Sequence, residues 1–134
     1  MKRKGFLIIM LLICCFTSYS QMDTKDLRAA SQPTPSPTST YLLFPTTNIW
    51  TFLKLDTRNG KIWQVHYDTK GDSRIALYLN TESLVSEKEE QNGRFFLYPT
   101  NNIYTFILID QVDGRMWQVQ WSMDRDKRFL LPIY

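Results

Sequence analysis

A chain of 134 residues is long enough for one folded domain. Its formal charge of +3 comes from 16 basic and 13 acidic residues, but Lys2, Arg3 and Lys4 account for the whole excess. The remainder is neutral, so no basic stripe is left to neutralise phosphates, and nucleic acid is excluded as a partner.

The chain opens on that basic run, continues through an almost wholly apolar stretch from Gly5 to Phe16, and reaches Thr17-Ser18-Tyr19-Ser20-Gln21. A positive start, an apolar middle and small residues at the −3 and −1 positions make a secretory signal peptide. With Ser18 and Ser20 as the small pair, cleavage is expected before Gln21, so 1–20 is the leader. The apolar stretch is shorter than the roughly 20 residues of a membrane span. Both cysteines, Cys14 and Cys15, sit inside it, so the mature chain has no thiol and forms no disulfide. A second reading takes Leu12-Ile13-Cys14-Cys15 as a lipoprotein box with Cys15 as the lipidated residue; Cys14 departs from the small residue usual there. Soluble export is preferred, with membrane attachment only if Cys15 is lipidated.

Residues 21–40 read as a linker. Pro33, Pro35 and Pro37 alternate with small polar residues, and such a segment has too little apolar surface to offset the entropy of ordering it. The rest, 41–134, is a duplication. Residues 41–80 align without a gap to 95–134, each residue matching the one 54 positions on, as Trp63 matches Trp117 and Gln64 matches Gln118. A gapless match of this length marks one supersecondary unit used twice, with 81–94 as the connector.

Each unit reads as four short strands. The first, Tyr41 to Phe44 or Phe95 to Tyr98, ends at Pro-Thr-x-Asn, because proline cannot donate to a ladder and Asn tolerates left-handed backbone. The second, Ile49 to Leu55 or Ile103 to Ile109, ends in a turn closed by Asn59-Gly60 or Asp113-Gly114, where a hairpin needs positive φ. The third, Ile62 to Tyr67 or Met116 to Trp121, alternates cleanly. Trp63, Val65 and Tyr67 share one face with their mates Trp117, Val119 and Trp121, and this face is expected to be the core side. Gln64, His66, Gln118 and Gln120 then face water. Arg74 to Leu79 or Arg128 to Ile133 makes the fourth strand, and the acidic connector forms one or two helical turns or stays solvated. Trp50, Phe52, Trp63, Phe106, Trp117 and Trp121 are expected to supply the large buried areas that so small a core needs. The fold class is therefore all-β: two four-stranded antiparallel repeats packed as a β-sandwich or an eight-stranded barrel.

Two resemblances attach to particular residues. The Asp-x-x-x-Gly-x-x-Trp hairpin resembles the turn of propeller blades that carry Gly-Lys-x-x-Trp, but two blades cannot close a propeller, so this concerns one hairpin. Phe96 to Phe106 with Trp117-Gln118-Val119-Gln120-Trp121 resembles small secreted bacterial proteins of unknown function that carry a duplicated Tyr-Pro-Thr…Trp-Gln-Val-Gln-Trp repeat. That resemblance implies an envelope or secreted location and transfers no catalytic residue.

Little in the chain carries chemistry. His66 is the only histidine, and its mate is Gln120. Asp56 and Asp110 form a repeated pair of carboxylates, but each opens a tight turn, where Asp bonds its own backbone. No phosphate-binding loop, metal set or cofactor signal is present in the sequence. Binding is the better expectation. Gln64 and Gln118 form a repeated amide row, and strand two is apolar on both faces, which makes Trp50 and Tyr104 the best surface candidates. Lys54 interrupts the Trp50 face, where the second copy has Leu108. The reading is a non-enzymatic exported binding or structural module of the bacterial cell envelope, with a protein or glycan partner. The alternatives are an inhibitor-like protein docking on another exported protein, and an enzyme using Asp56, Asp110 or His66.

Overall fold

The computed structural model describes residues 32–134. The expected leader, its expected cleavage point before Gln21 and Cys15 lie outside the described residues. Eight strands follow in chain order: β1 Tyr41–Pro45, β2 Thr51–Asp56, β3 Ile62–His66 and β4 Ile75–Asn80 in the first repeat, then β5 Phe95–Pro99, β6 Thr105–Asp110, β7 Met116–Gln120 and β8 Phe129–Ile133 in the second. Each repeat is a four-stranded antiparallel meander with its strands in sequence order. Strands pair only within their own sheet, so the two sheets form a sandwich and not the eight-stranded barrel.

The turns explain why the repeats match where they do. Thr46 Oγ1 donates to the carbonyls of Asn48 and Thr51, and the Asn48 carboxamide accepts from the Trp50 N–H. Thr100 and Asn102 make the same set with Thr105 and Tyr104. Asn48 and Asn102 thus work as side-chain acceptors, not as left-handed residues; among the described residues only glycines have positive φ. Gly60 at φ 78° and Gly114 at φ 82° close the hairpin turns as expected.

Each sheet has two faces. The front of sheet 1 carries Phe44, Leu53, Leu55, Ile62 and Gln64, and its back carries Leu43, Lys54, Trp63, Val65 and Tyr78, as the register Phe44–Leu53–Gln64 and Leu43–Lys54–Trp63 requires. The repeat mates divide in the same way, so the front of sheet 2 carries Tyr98, Ile107, Ile109, Met116 and Gln118. Its back carries Leu97, Phe106, Leu108, Trp117 and Val119. The core joins the front of sheet 1 to the back of sheet 2: Phe44, Leu53, Leu55 and Ile62 cluster with Leu97, Phe106, Leu108, Trp117 and Val119. Each fully buried Leu or Phe contributes roughly 1.5–3 kcal/mol. Phe96 is an exception. It sits on the front of edge strand β5, yet its ring meets Phe44 at 5.2 Å and is buried.

This front-to-back packing corrects the expected orientation of β3. Trp117, Val119 and Trp121 are buried, but Trp63 and Val65 are half-buried and Tyr67 is exposed, all on the open back of sheet 1. The cause is Lys54. It pairs with Trp63 across β2 and β3 and holds its ammonium 4.1 Å from the indole ring. A lysine cannot enter the core unpaired, so it keeps its face, and Trp63 with it, toward solvent. Trp50 and Phe52, also expected in the core, lie exposed and half-buried beside Tyr67.

Residues 32–40, the described part of the stretch read as a linker, are held against the domain. The Thr57 N–H donates to the Thr40 carbonyl at 2.9 Å, Asn92 Nδ2 donates to the Thr38 carbonyl at 3.1 Å, and Gln32 Nε2 donates to the Pro45 carbonyl at 3.1 Å. Asn92 belongs to the connector, which makes a single 3₁₀ turn at Glu87–Glu89 and tucks Leu84 and Val85 against the core. Gly93 lets the two segments meet: a Cβ there would lie 2.6 Å from the Ser36 carbonyl oxygen, and its φ is 77°. Gly93→Ala is therefore expected to unseat residues 32–40 while leaving the sheets folded. Limited proteolysis should show faster cleavage near Ser36 with unchanged far-ultraviolet circular dichroism.

Candidate functional site

The three candidate reactive residues are occupied structurally. Asp56 is buried. Its carboxylate accepts the backbone N–H of Arg58 at 3.0 Å and pairs with the Arg58 guanidinium at 2.8 Å, which raises the Arg58 pKa further above its ordinary value. Asp110 is fully buried. It accepts the Val112 N–H at 2.9 Å and binds Arg94 at 2.9 Å. Arg94 is itself buried and also donates to the Glu89 carbonyl, so it ties the connector to the second hairpin turn. Both aspartates thus serve their turns, as the sequence led one to expect. Arg94 was not singled out from the sequence because it is the last residue of the connector, outside the aligned repeats, so the duplication gives it no emphasis. Asp113 beside it is held below the usual carboxylate range, first by the Arg115 backbone N–H and then by the Arg115 guanidinium. His66 is half-buried, hydrogen-bonded through Nδ1 to Thr51 Oγ1 at 3.2 Å. Among the described residues no group of three or more His, Cys, Asp or Glu gathers as a metal site.

The binding candidates separate. Gln64 is not on a water-facing row: it is buried between the sheets, where its carbonyl accepts the Ser122 N–H at 3.3 Å and its amide points at the Met123 sulfur at 3.8 Å. It satisfies a backbone donor of the second repeat inside the sandwich. Gln118, its mate, is half-buried on the open front of sheet 2. Trp50 and Tyr104 are exposed, each packed at a tilt, 5.4 Å between ring centres, against the aromatic that follows its third strand, Tyr67 or Trp121. Tyr104 and Trp50 lie on the backs of different sheets, and no shared surface unites the four.

What the structure brings together is instead two open sheet faces. The back of sheet 1 is aromatic. Trp63 sits 6.5 Å from Tyr41 and 5.5 Å from Tyr78, with Lys54 over it, and Leu43 and Tyr78 are 54% and 60% exposed. Phe52, Tyr67 and Trp50 extend this surface to the other end of the strands. The front of sheet 2 is uncharged along all four strands: Tyr98, Ile107, Ile109, Met116, Gln118 and Gln120, with Phe129, Leu131 and Ile133 from β8. Uncharged apolar sheet faces of this extent are normally covered. At the outer edge a half-open cleft of about 400 Å³ separates β4 from the loop before β8, lined by Leu77, Tyr78, Leu79, Arg125 and Arg128. Asp124 beside it is held below the usual carboxylate range by the Asp126 N–H and by Lys127. The signal for the open faces was present in the sequence as the all-apolar second strand; which face stayed open was not.

Comparison with protein-family models, with curated proteins and with solved structures returned no match for the chain.

Proposed function

We propose that the protein is a non-enzymatic exported module of the bacterial envelope that acts by docking its open sheet faces, in a binding or structural role. The observation that carries this reading is the pair of uncovered faces, one aromatic and one uncharged. Such surfaces rimmed by polar residues mark interaction sites. The enzyme alternative is disfavoured by the structural engagement of Asp56 and Asp110 and by the loss of His66 from the second repeat. An inhibitor-like protein that docks on another exported protein would use the same faces and is the narrower form of this reading. Export itself rests on the leader.

The test is retention of envelope proteins, or of a glycan panel, on the immobilised exported chain. His66→Ala should leave retention unchanged, because the imidazole stands on neither open face and bonds Thr51 of its own sheet. Tyr78→Glu, which places a charge on the aromatic back of sheet 1, should reduce retention at least tenfold with the fold intact. Loss of retention in folded His66→Ala with Tyr78→Glu unaffected would remove the docking reading and return attention to His66.

A further inference from the structure

We infer that the partner of both open faces is a second copy of this chain, and that copies assemble head to tail into a closed ring of front-to-back sheets. This deepens the docking reading above and rests on it. The argument begins with the interface inside the chain. The front of sheet 1 is covered by the back of sheet 2, and each sheet is a copy of the other. A front-to-back contact between like units is heterologous: it leaves one front and one back unused at the two ends. The unused pair here is the back of sheet 1 and the front of sheet 2. These are the repeat mates of the two surfaces that already pack together. Applying the same contact once more places the back of sheet 1 of one copy on the front of sheet 2 of another, continuing the interface that the chain has built internally.

The residues agree with that operation. Leu53 and Ile62, covered within the chain, correspond to Ile107 and Met116, which are uncharged and wait on the open front, while Ile109, the mate of Leu55, is half-buried against the core beside them. Leu97, Phe106, Trp117 and Val119, buried within the chain, correspond to Leu43, Phe52, Trp63 and Val65 on the open back. Gln64 accepts the Ser122 N–H across the internal interface. Its mate Gln118 is placed to accept the equivalent donor, the Asp68 N–H of the next copy. Within the strands, the one repeat position that changes formal charge is Lys54 for Leu108, and the face it meets offers the amide oxygens of Gln118 and Gln120. The cleft between β4 and the loop carrying Arg125 and Arg128 would recur between copies, with β8 of one copy facing Arg74 of the next.

Heterologous contacts close into rings when the rotation permits and otherwise run on as filaments. Rings of four-stranded sheets typically hold about four to eight sheets, which corresponds to two, three or four copies. Two sheets alone cannot close such a ring, and this is where the propeller-like hairpin regains a meaning that one chain could not give it.

The experiment is native mass spectrometry of the exported chain and of two single variants at exposed positions, Leu43→Glu on the back of sheet 1 and Leu131→Glu on the front of sheet 2, each checked for folding by circular dichroism. Tyr78→Glu and Ile107→Glu serve as second variants for the same faces. The parent should be one discrete species of two, three or four copies, and each variant should be monomeric. Mixing the two variants should restore a one-to-one pair, because each retains the face that the other lacks. A parent dimer that survives either substitution would mean a like-on-like interface and would overturn the ring, as would a polydisperse filament. A folded monomer at all concentrations would also overturn it. The docking reading would then stand or fall separately, on whether Tyr78→Glu abolishes envelope or glycan retention.

Discussion

Trp117→Ala is expected to destabilise the protein by about 3–5 kcal/mol, the range for truncating a buried large aromatic. Trp117 is 7% exposed, packs its ring 6.1 Å from Phe95, and lies in the cluster that joins the two sheets. A domain this small has little stability to lose, so the variant should be largely unfolded at room temperature. Its repeat mate should behave differently. Trp63→Ala removes a half-buried ring that holds Lys54 and Tyr41, and should cost only roughly 1–2 kcal/mol. Urea unfolding followed by circular dichroism checks both. Equal losses would mean that Trp63 is as buried as Trp117.

Arg94→Met should be comparably damaging, by about 3–5 kcal/mol, because it takes the closest and most buried cation from the Asp110 carboxylate. Arg94 reaches Asp110 through two donors and the Glu89 carbonyl through a third; the second cation on Asp110, Arg115, is half exposed and sits farther off, at 3.5 Å. The equivalent carboxylate of the first repeat offers the control. Asp56 is also buried, but its partner Arg58 is 37% exposed, so Arg58→Met should cost less, about 1–3 kcal/mol. The same unfolding assay separates the two, and a small loss for Arg94→Met would mean that water or Arg115 takes over the pairing.

The strands were legible because their signals are local. Alternation, the Pro-Thr-x-Asn stops and the two hairpin glycines placed every strand to within about two residues of its position. The orientation of those strands was only half legible. In each repeat both faces are largely apolar, so the sequence does not say which one a neighbouring sheet will cover. Identical repeats suggest identical orientations, but in a front-to-back stack like residues meet opposite surroundings. Trp63 and Gln64 were therefore assigned to the wrong sides, while Trp117 and Val119 were assigned correctly. The deciding residue was visible: Lys54 stands where Leu108 does, directly across from Trp63. Its consequence depends on a strand pairing that only the fold supplies. Arg94 escaped notice for the opposite reason. It is a single residue outside the aligned repeats whose importance lies in a carboxylate 16 residues away.

A single pair of matched substitutions shows whether two like sheets turn opposite faces to one core. Leu43 and Leu97 are the same residue at the same repeat position, 54% and 0% exposed. Far-ultraviolet circular dichroism and urea unfolding of Leu43→Asp and Leu97→Asp should give a folded chain for the first and an unfolded one for the second. Similar behaviour of the two variants, both folded or both unfolded, would contradict front-to-back packing.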